Sequence, residues 1–127
     1  MRFVDMNKEL VSKVGSIGQD NLIAKLFPPA TTFGVTIPAG TGVLKRGTVL
    51  ALNGNDYALL SAATTGKANC VLADDVDASG EAAAVGVAYR TGHFNRKALI
   101  VGEGYTMTIA DEEELRKGGI LLTDMAD

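Results

Sequence analysis

The stretch Val85–Val101, VGVAYRTGHFNRKALIV, limits the possible folds more than any other part of the chain. Val85, Val87, Tyr89 and Thr91 alternate with Gly86, Ala88 and Arg90 at a period of two. A β-branched and aromatic side opposite a side of small residues predicts a strand packed closely on both faces. Thr91-Gly92-His93 interrupts the alternation as a turn does. Phe94 then enters as a large apolar anchor, and Asn95-Arg96-Lys97 forms a polar shoulder. Ala98–Val101 returns as a short apolar run, which reads as a second buried strand. The expectation is the central hairpin of a small β-rich domain.

The flanking sequence extends that pattern. Phe33, Val35 and Ile37 alternate, and Pro38 closes the strand or marks an edge. Thr48–Leu52 is a short apolar strand, and Asn53-Gly54 is the strongest hairpin signal, suited to a type I′ turn before the return strand Tyr57–Leu60. Ala68–Ala73 gives another strand, with Cys70 and Leu72 on one face. Tyr105–Ile109 alternates with two threonines turned outward. Asp111 is placed to cap a helix, Glu114 stands at the capping-box position, and Gly118-Gly119 ends it. Within this helix Glu112 and Glu113 precede Arg116 and Lys117 by four residues. Ile120-Leu121-Leu122 is a final strand. The fold class predicted is mostly β, a small barrel-like or sandwich-like domain with one short helix near the C-terminus.

Met1–Thr32 is less regular. Phe3, Val4, Leu10, Val11, Val14 and Ile17 follow neither period for long, and Gly15, Gly18 and Pro28-Pro29 interrupt any helix. Two readings stand side by side: a terminal segment that packs loosely, or an arm that orders on a partner.

The composition excludes some partners. A net charge of −3 opposes a phosphate backbone, whose affinity comes mainly from Lys and Arg. Aromatic residues are 6% with no Trp, too few for the stacking platforms of single-strand binders. No stretch approaches the ~20 apolar residues of a membrane span, and Met1–Leu10 lacks the apolar core of a signal peptide. The expectation is therefore no nucleic acid and no membrane.

Catalysis finds little support. Cys70 is the single cysteine, so it forms no intrachain disulfide, and it sits in an apolar run as a small core residue would. His93 is the single histidine. A pairing of the two lacks a third group to orient it, and metal binding would have one ligand of each kind. Asp75, Asp77 and Ser79 with Gly80 imitate the first half of an EF-hand loop, but its twelfth position is Gly86 rather than glutamate. A solvated acidic turn explains the segment. Gly40, Gly42 and Gly47 fail the GxGxxG spacing, and Gly66-Lys67 lacks the rest of a P-loop. No cofactor, catalytic residue or metal ligand is expected.

The order of four blocks is informative: KRGTVLAL, CVLADDVDA, VAYRTGHFNRKALI and EEELRKGGILLT. Together they resemble the bacteriophage head decoration protein family typified by lambda's decoration protein. The resemblance is best over Leu44–Thr123, and its most specific pieces are Gly92-His93-Phe94-Asn95 and Leu115–Ile120. It implies a non-enzymatic homotrimer, made in the host cytoplasm, that binds the major capsid protein on the outer surface of the expanded head and stabilises it against DNA pressure. It also favours the arm reading, dividing the chain into a capsid-binding arm, 1–32, and a β-rich domain, 33–127. The arm residues expected at the capsid are Phe3, Val4, Leu10, Val11, Ile17, Leu22 and Ile23. Tyr89, Phe94 and Leu99 are expected in the core or at the trimer interface. The competing class is a soluble β-barrel module for a small ligand or peptide, with the Gly92–Asn95 turn at its mouth.

Overall fold

The computed structural model describes residues 21–124. Strands β1 (Ile23–Lys25), β2 (Thr31–Ile37), β3 (Gly42–Leu44), β4 (Val49–Asn53), β5 (Asp56–Leu59), β6 (Ala68–Leu72), β7 (Val76–Ala78) and β8 (Ala84–Asn95) come first. Helix α1 (Ile109–Gly118) and strand β9 (Ile120–Thr123) follow. A 7-stranded sheet holds all of these strands except β3 and β7, which form a 2-stranded sheet of their own. The described residues are thus mostly β with one α-helix near the C-terminal end, as the periodicity predicts.

The expected central hairpin is instead one continuous strand. Strand β8 runs for 12 residues and changes partners along its length. Its first part pairs antiparallel with β2 over Ala84–Thr91 and with β6 through Ala88 and Tyr89. Its last part pairs antiparallel with β1 and parallel with β9. The supposed turn at Thr91-Gly92-His93 lies where those partners change. Gly92 has φ +151, and a Cβ there would meet the Phe94 ring at 2.7 Å. The glycine therefore makes room for a ring two residues ahead rather than reversing the chain. Beyond Asn95, Arg96–Ala98 forms a single 3-10 turn, and Ile100 makes only an isolated bridge to Thr48. Ala98–Val101 is not a strand.

Two cores lie on opposite sides of β4 and β6. Val49, Ala51 and Val71 face one with Leu22, Leu60, Phe94, Leu115 and Ile120. Leu50, Cys70 and Leu72 face the other with Val35, Ile37, Leu44, Val76 and Ala88. Because both faces are buried, these strands read as near-continuous apolar runs. A register shift between Leu50 and Ala51 lets Ala68 and Val71 share a face despite their odd spacing.

The valine side of β8 has the opposite fate from the one its pattern predicts. Val85 is 78% exposed, whereas Gly86 and Ala88 face the second core. A Cβ on Gly86 would stand 2.4 Å from Val76 Cγ2, so this side admits no larger residue. The hairpin at β4–β5 is displaced by one residue. Asn53 pairs with Asp56 within the ladder, and Gly54 takes φ +69 while Asn55 does not turn positive, as a type II′ turn requires.

Helix α1 begins at Ile109, two residues before Asp111. Thr108 caps it by accepting from the Asp111 N–H at 3.1 Å, and Asp111, not Glu114, completes the capping box. The threonine ends the Tyr105–Ile109 segment as a cap, not as a strand. The helix's ion pairs run three residues apart, Glu113 to Arg116 at 2.6 Å and Glu114 to Lys117 at 3.0 Å. Glu112 instead receives a two-pronged contact from Arg96, whose remaining nitrogen reaches Asp124 at 2.8 Å. That bracket ties the end of β8 to the helix and to the chain beyond β9. The helix also supplies the crossover that a parallel β8–β9 pair needs.

Phe94 is 0% exposed, packed on Tyr89 with ring centroids 5.1 Å apart. Phe94→Ala is expected to cost about 3–5 kcal/mol. Urea denaturation measures it, and a loss below about 1 kcal/mol would show that the cavity collapses freely.

Candidate functional site

Any site on this chain must be built from side chains left outside the two cores. Leu26 and Phe27 stand out first, at 89% and 79% exposure, in the loop from β1 to β2. Pro28 and Pro29 follow them and allow neither residue to continue a ladder. The base of this loop is fastened to β8. His93 Nδ1 lies 3.3 Å from the Phe27 carbonyl, and Thr91 Oγ1 donates to the Pro29 carbonyl at 2.7 Å. The Thr31 and Thr91 hydroxyls meet at 2.7 Å. A second exposed apolar area is flat: Val85 and Val87 project from β8, paired across the ladder with Thr36 and Gly34 of β2. Ile109, at the first turn of α1, is exposed as well.

The expected contact residues fall in three groups. Phe3, Val4, Leu10, Val11 and Ile17 lie outside the described residues. Leu22 is 1% exposed in the core; Ile23 pairs with Phe94 along the ladder, while its side chain is 37% exposed. Tyr89 and Leu99 are partly buried against the core that contains Phe94. Leu26 and Phe27 were absent from the expectation. Their signal was an apolar pair directly before two prolines, which no neighbouring strand can absorb.

The polar clusters are explained by the fold. Burial pushes the Cys70 thiol up to about 12, against a smaller opposing effect of Arg90, so it is not a thiolate near neutral pH. His93 holds a backbone carbonyl on another part of the chain and does not face that thiol's core. Among the described residues, no three of His, Cys, Asp and Glu stand where they could hold a metal ion. In the acidic segment, Asp77 accepts from the Ser79 hydroxyl at 2.5 Å and amide at 3.0 Å, which holds its carboxyl below the ordinary range. Asp75 accepts from the Arg46 amide at 2.8 Å, while the Arg46 guanidinium bonds the Ala73 carbonyl and the Tyr89 hydroxyl. These carboxylates fasten loops.

Asp111 is the one fully buried acid among the described residues. Oδ1 accepts from the Gly66 amide at 2.6 Å, and Oδ2 from the Thr108 amide and hydroxyl at 3.0 and 3.1 Å and from the Tyr105 hydroxyl. Burial by itself would raise its pKa, but these donors outweigh burial and hold the carboxyl below its ordinary range. The helix start is thereby latched to the loop before β6. Because the folded state prefers the charged form, the latch stabilises fully above the unfolded value near pH 4 and is lost as pH falls through the lower folded value. Asp111→Ala strands several buried donors and is expected to cost about 2–4 kcal/mol at pH 7. Its denaturation midpoint should also fall less steeply than the parent's below about pH 4. Equal steepness would mean that Asp111 is already protonated in the fold.

A family model described as bacteriophage lambda head decoration protein D matches residues 19–120. No curated protein matches the chain.

Proposed function

The chain belongs to the bacteriophage lambda head decoration protein D family, and from that premise we propose that it binds the outer face of the expanded head as a trimer. There it holds neighbouring major capsid protein subunits together against the outward pressure of packaged DNA. The observation that carries this reading is the match over residues 19–120, which takes in both cores, β8 and α1. The family is a structural one, and a phage head decoration protein needs shape and adhesion rather than a reaction centre. A buried thiol that burial keeps protonated suits such a role.

The arm expected over 1–32 is narrowed in this reading to the residues before Asn21, because the core holds Leu22 and β1 pairs with β8. An extended arm can add a strand to a neighbouring sheet, with main-chain hydrogen bonds giving affinity and side chains giving register. Ordering such an arm costs roughly 1–2 kcal/mol per residue, so a single arm binds weakly. A trimer offsets that weakness, because once one arm docks the others bind at high effective concentration. Preference for expanded heads follows if the receiving edges reach the right spacing only after expansion.

Two measurements test this. Light scattering should give a trimer, in free solution or on the head. Sedimentation with unexpanded and expanded heads should show retention on the expanded form alone, and removal of Met1–Asp20 should abolish it while leaving the melting transition nearly unchanged. Equal retention on both forms would end the expansion-sensing idea, and no retention on either would end the decoration reading.

A further inference from the structure

We propose that Asn53 is a site of spontaneous deamidation, in which the Gly54 backbone nitrogen displaces ammonia from the Asn53 side chain with help from Lys67. The reaction needs no partner and stands apart from the head-binding reading. Of the asparagines at positions 7, 21, 53, 55, 69 and 95, only Asn53 precedes a glycine. A glycine has no Cβ, which leaves its nitrogen open to approach and its backbone free to turn.

The tip of the β4–β5 hairpin presents both reacting groups to water. Asn53 and Gly54 are exposed, and Gly54 stands outside the ladder, between the paired Asn53 and Asp56. Strand β5 ends the strand order of its sheet, so the tip opens without parting the strands that flank β8. Lys67 Nζ donates to Asn53 Oδ1 at 3.4 Å. The Lys67 carbonyl accepts from the Leu52 amide at 3.1 Å, which fixes the lysine beside the tip. Its ammonium draws electrons from Asn53 Cγ and stabilises the oxyanion that forms there during attack.

The neighbouring asparagines lack this combination. Asn95 is 4% exposed, and its Oδ1 accepts from the Lys97 amide. Asn69 precedes Cys70 within β6, a strand paired to both β4 and β8. Asn55 precedes Asp56, which the ladder holds opposite Asn53.

The steps balance with water as the one co-reactant. The Gly54 nitrogen gives its proton to a solvent base and bonds to Asn53 Cγ. The Cγ–Nδ2 bond then breaks, and ammonia leaves with a proton from water. A cyclic imide results, and water opens it at either carbonyl, with no oxidation or reduction. Opening at Cγ leaves an aspartate at position 53. Opening at the main-chain carbonyl leaves an isoaspartate, whose backbone runs through an extra methylene. Loop length sets hairpin register, so the isoaspartate breaks the pairing of Leu52 with Tyr57. Tyr57 packs on Phe33 with ring centroids 6.3 Å apart, beside the core that holds Cys70. Loosening β5 therefore uncovers that core.

The test incubates the full chain at mildly alkaline pH and follows its peptides by mass spectrometry. The peptide holding Asn53 should gain about 1 Da and split into two chromatographic forms of equal mass. It should do so faster than any other asparagine, and Asn53→Gln should remove the gain. Lys67→Met should slow the reaction about 2–5-fold, the range of an exposed charge. Labelling of Cys70 by a thiol reagent should rise with the isoaspartate fraction. An unconverted Asn53, or earlier conversion at another asparagine, would overturn the site. An unchanged rate in Lys67→Met would remove the lysine's part, and constant Cys70 labelling would overturn the loss of register.

Discussion

Strand β8 carries backbone hydrogen bonds on both edges in each of its two parts, and the rest of the fold hangs on that. Its first part is flanked by β2 and β6, its last by β1 and β9. Residues of one alternating set serve both cores: Gly86 and Ala88 lie against the second, and Phe94 fills the first. A strand can pass one face from one core to another only if it twists strongly between them, and twist is cheapest where a side chain is missing. Gly92, with φ +151, is that place. Removing the Phe94 ring would thus undo more than local packing, because the glycine, the ring and the change of partners form one arrangement.

The same arrangement explains why parts of the sequence were legible and others were not. Strands buried on one or two faces announced themselves by period or by continuous apolar runs, as in Phe33–Ile37 and Ala68–Ala73. A glycine between polar residues reads as a turn, and nothing local distinguishes Gly92 from one. Its reason is a ring folded over it, which is a tertiary fact. The valine face of β8, expected to be packed like the other, is exposed for a related cause. Alternation tells that a strand has two faces, but the close approach of Val76 to Gly86 decides which face is inside. At the helix, the sequence points to Asp111 as the cap, whereas Thr108 holds that place and the Asp111 carboxylate receives the Gly66 amide from another loop.

Legibility of the candidate surface was uneven in a different way. The order of sequence blocks pointed to the family, since block order survives where single positions do not. Individual contact residues were less accessible to such reasoning. Leu22 looked like part of an irregular leader because its neighbours show no period, yet it fills the first core at 1% exposure. Leu26 and Phe27 were overlooked because apolar residues in an aperiodic segment have no assigned face. Only the hydrogen bonds from Thr91 and His93 show that their loop is held in place.

These features imply a division of labour along the chain. In the proposed role, the protein has to resist a pulling force and yet bind only where it is needed, and one kind of contact serves those ends poorly. Long-range strand pairing through β8 and the Asp111 latch tie distant parts of the sequence into one body. Strength of attachment then depends on how much ordering cost remains at the moment of docking. In the proposed trimer, even modest attachments at each copy would make detachment a concerted event, and concerted release is slow.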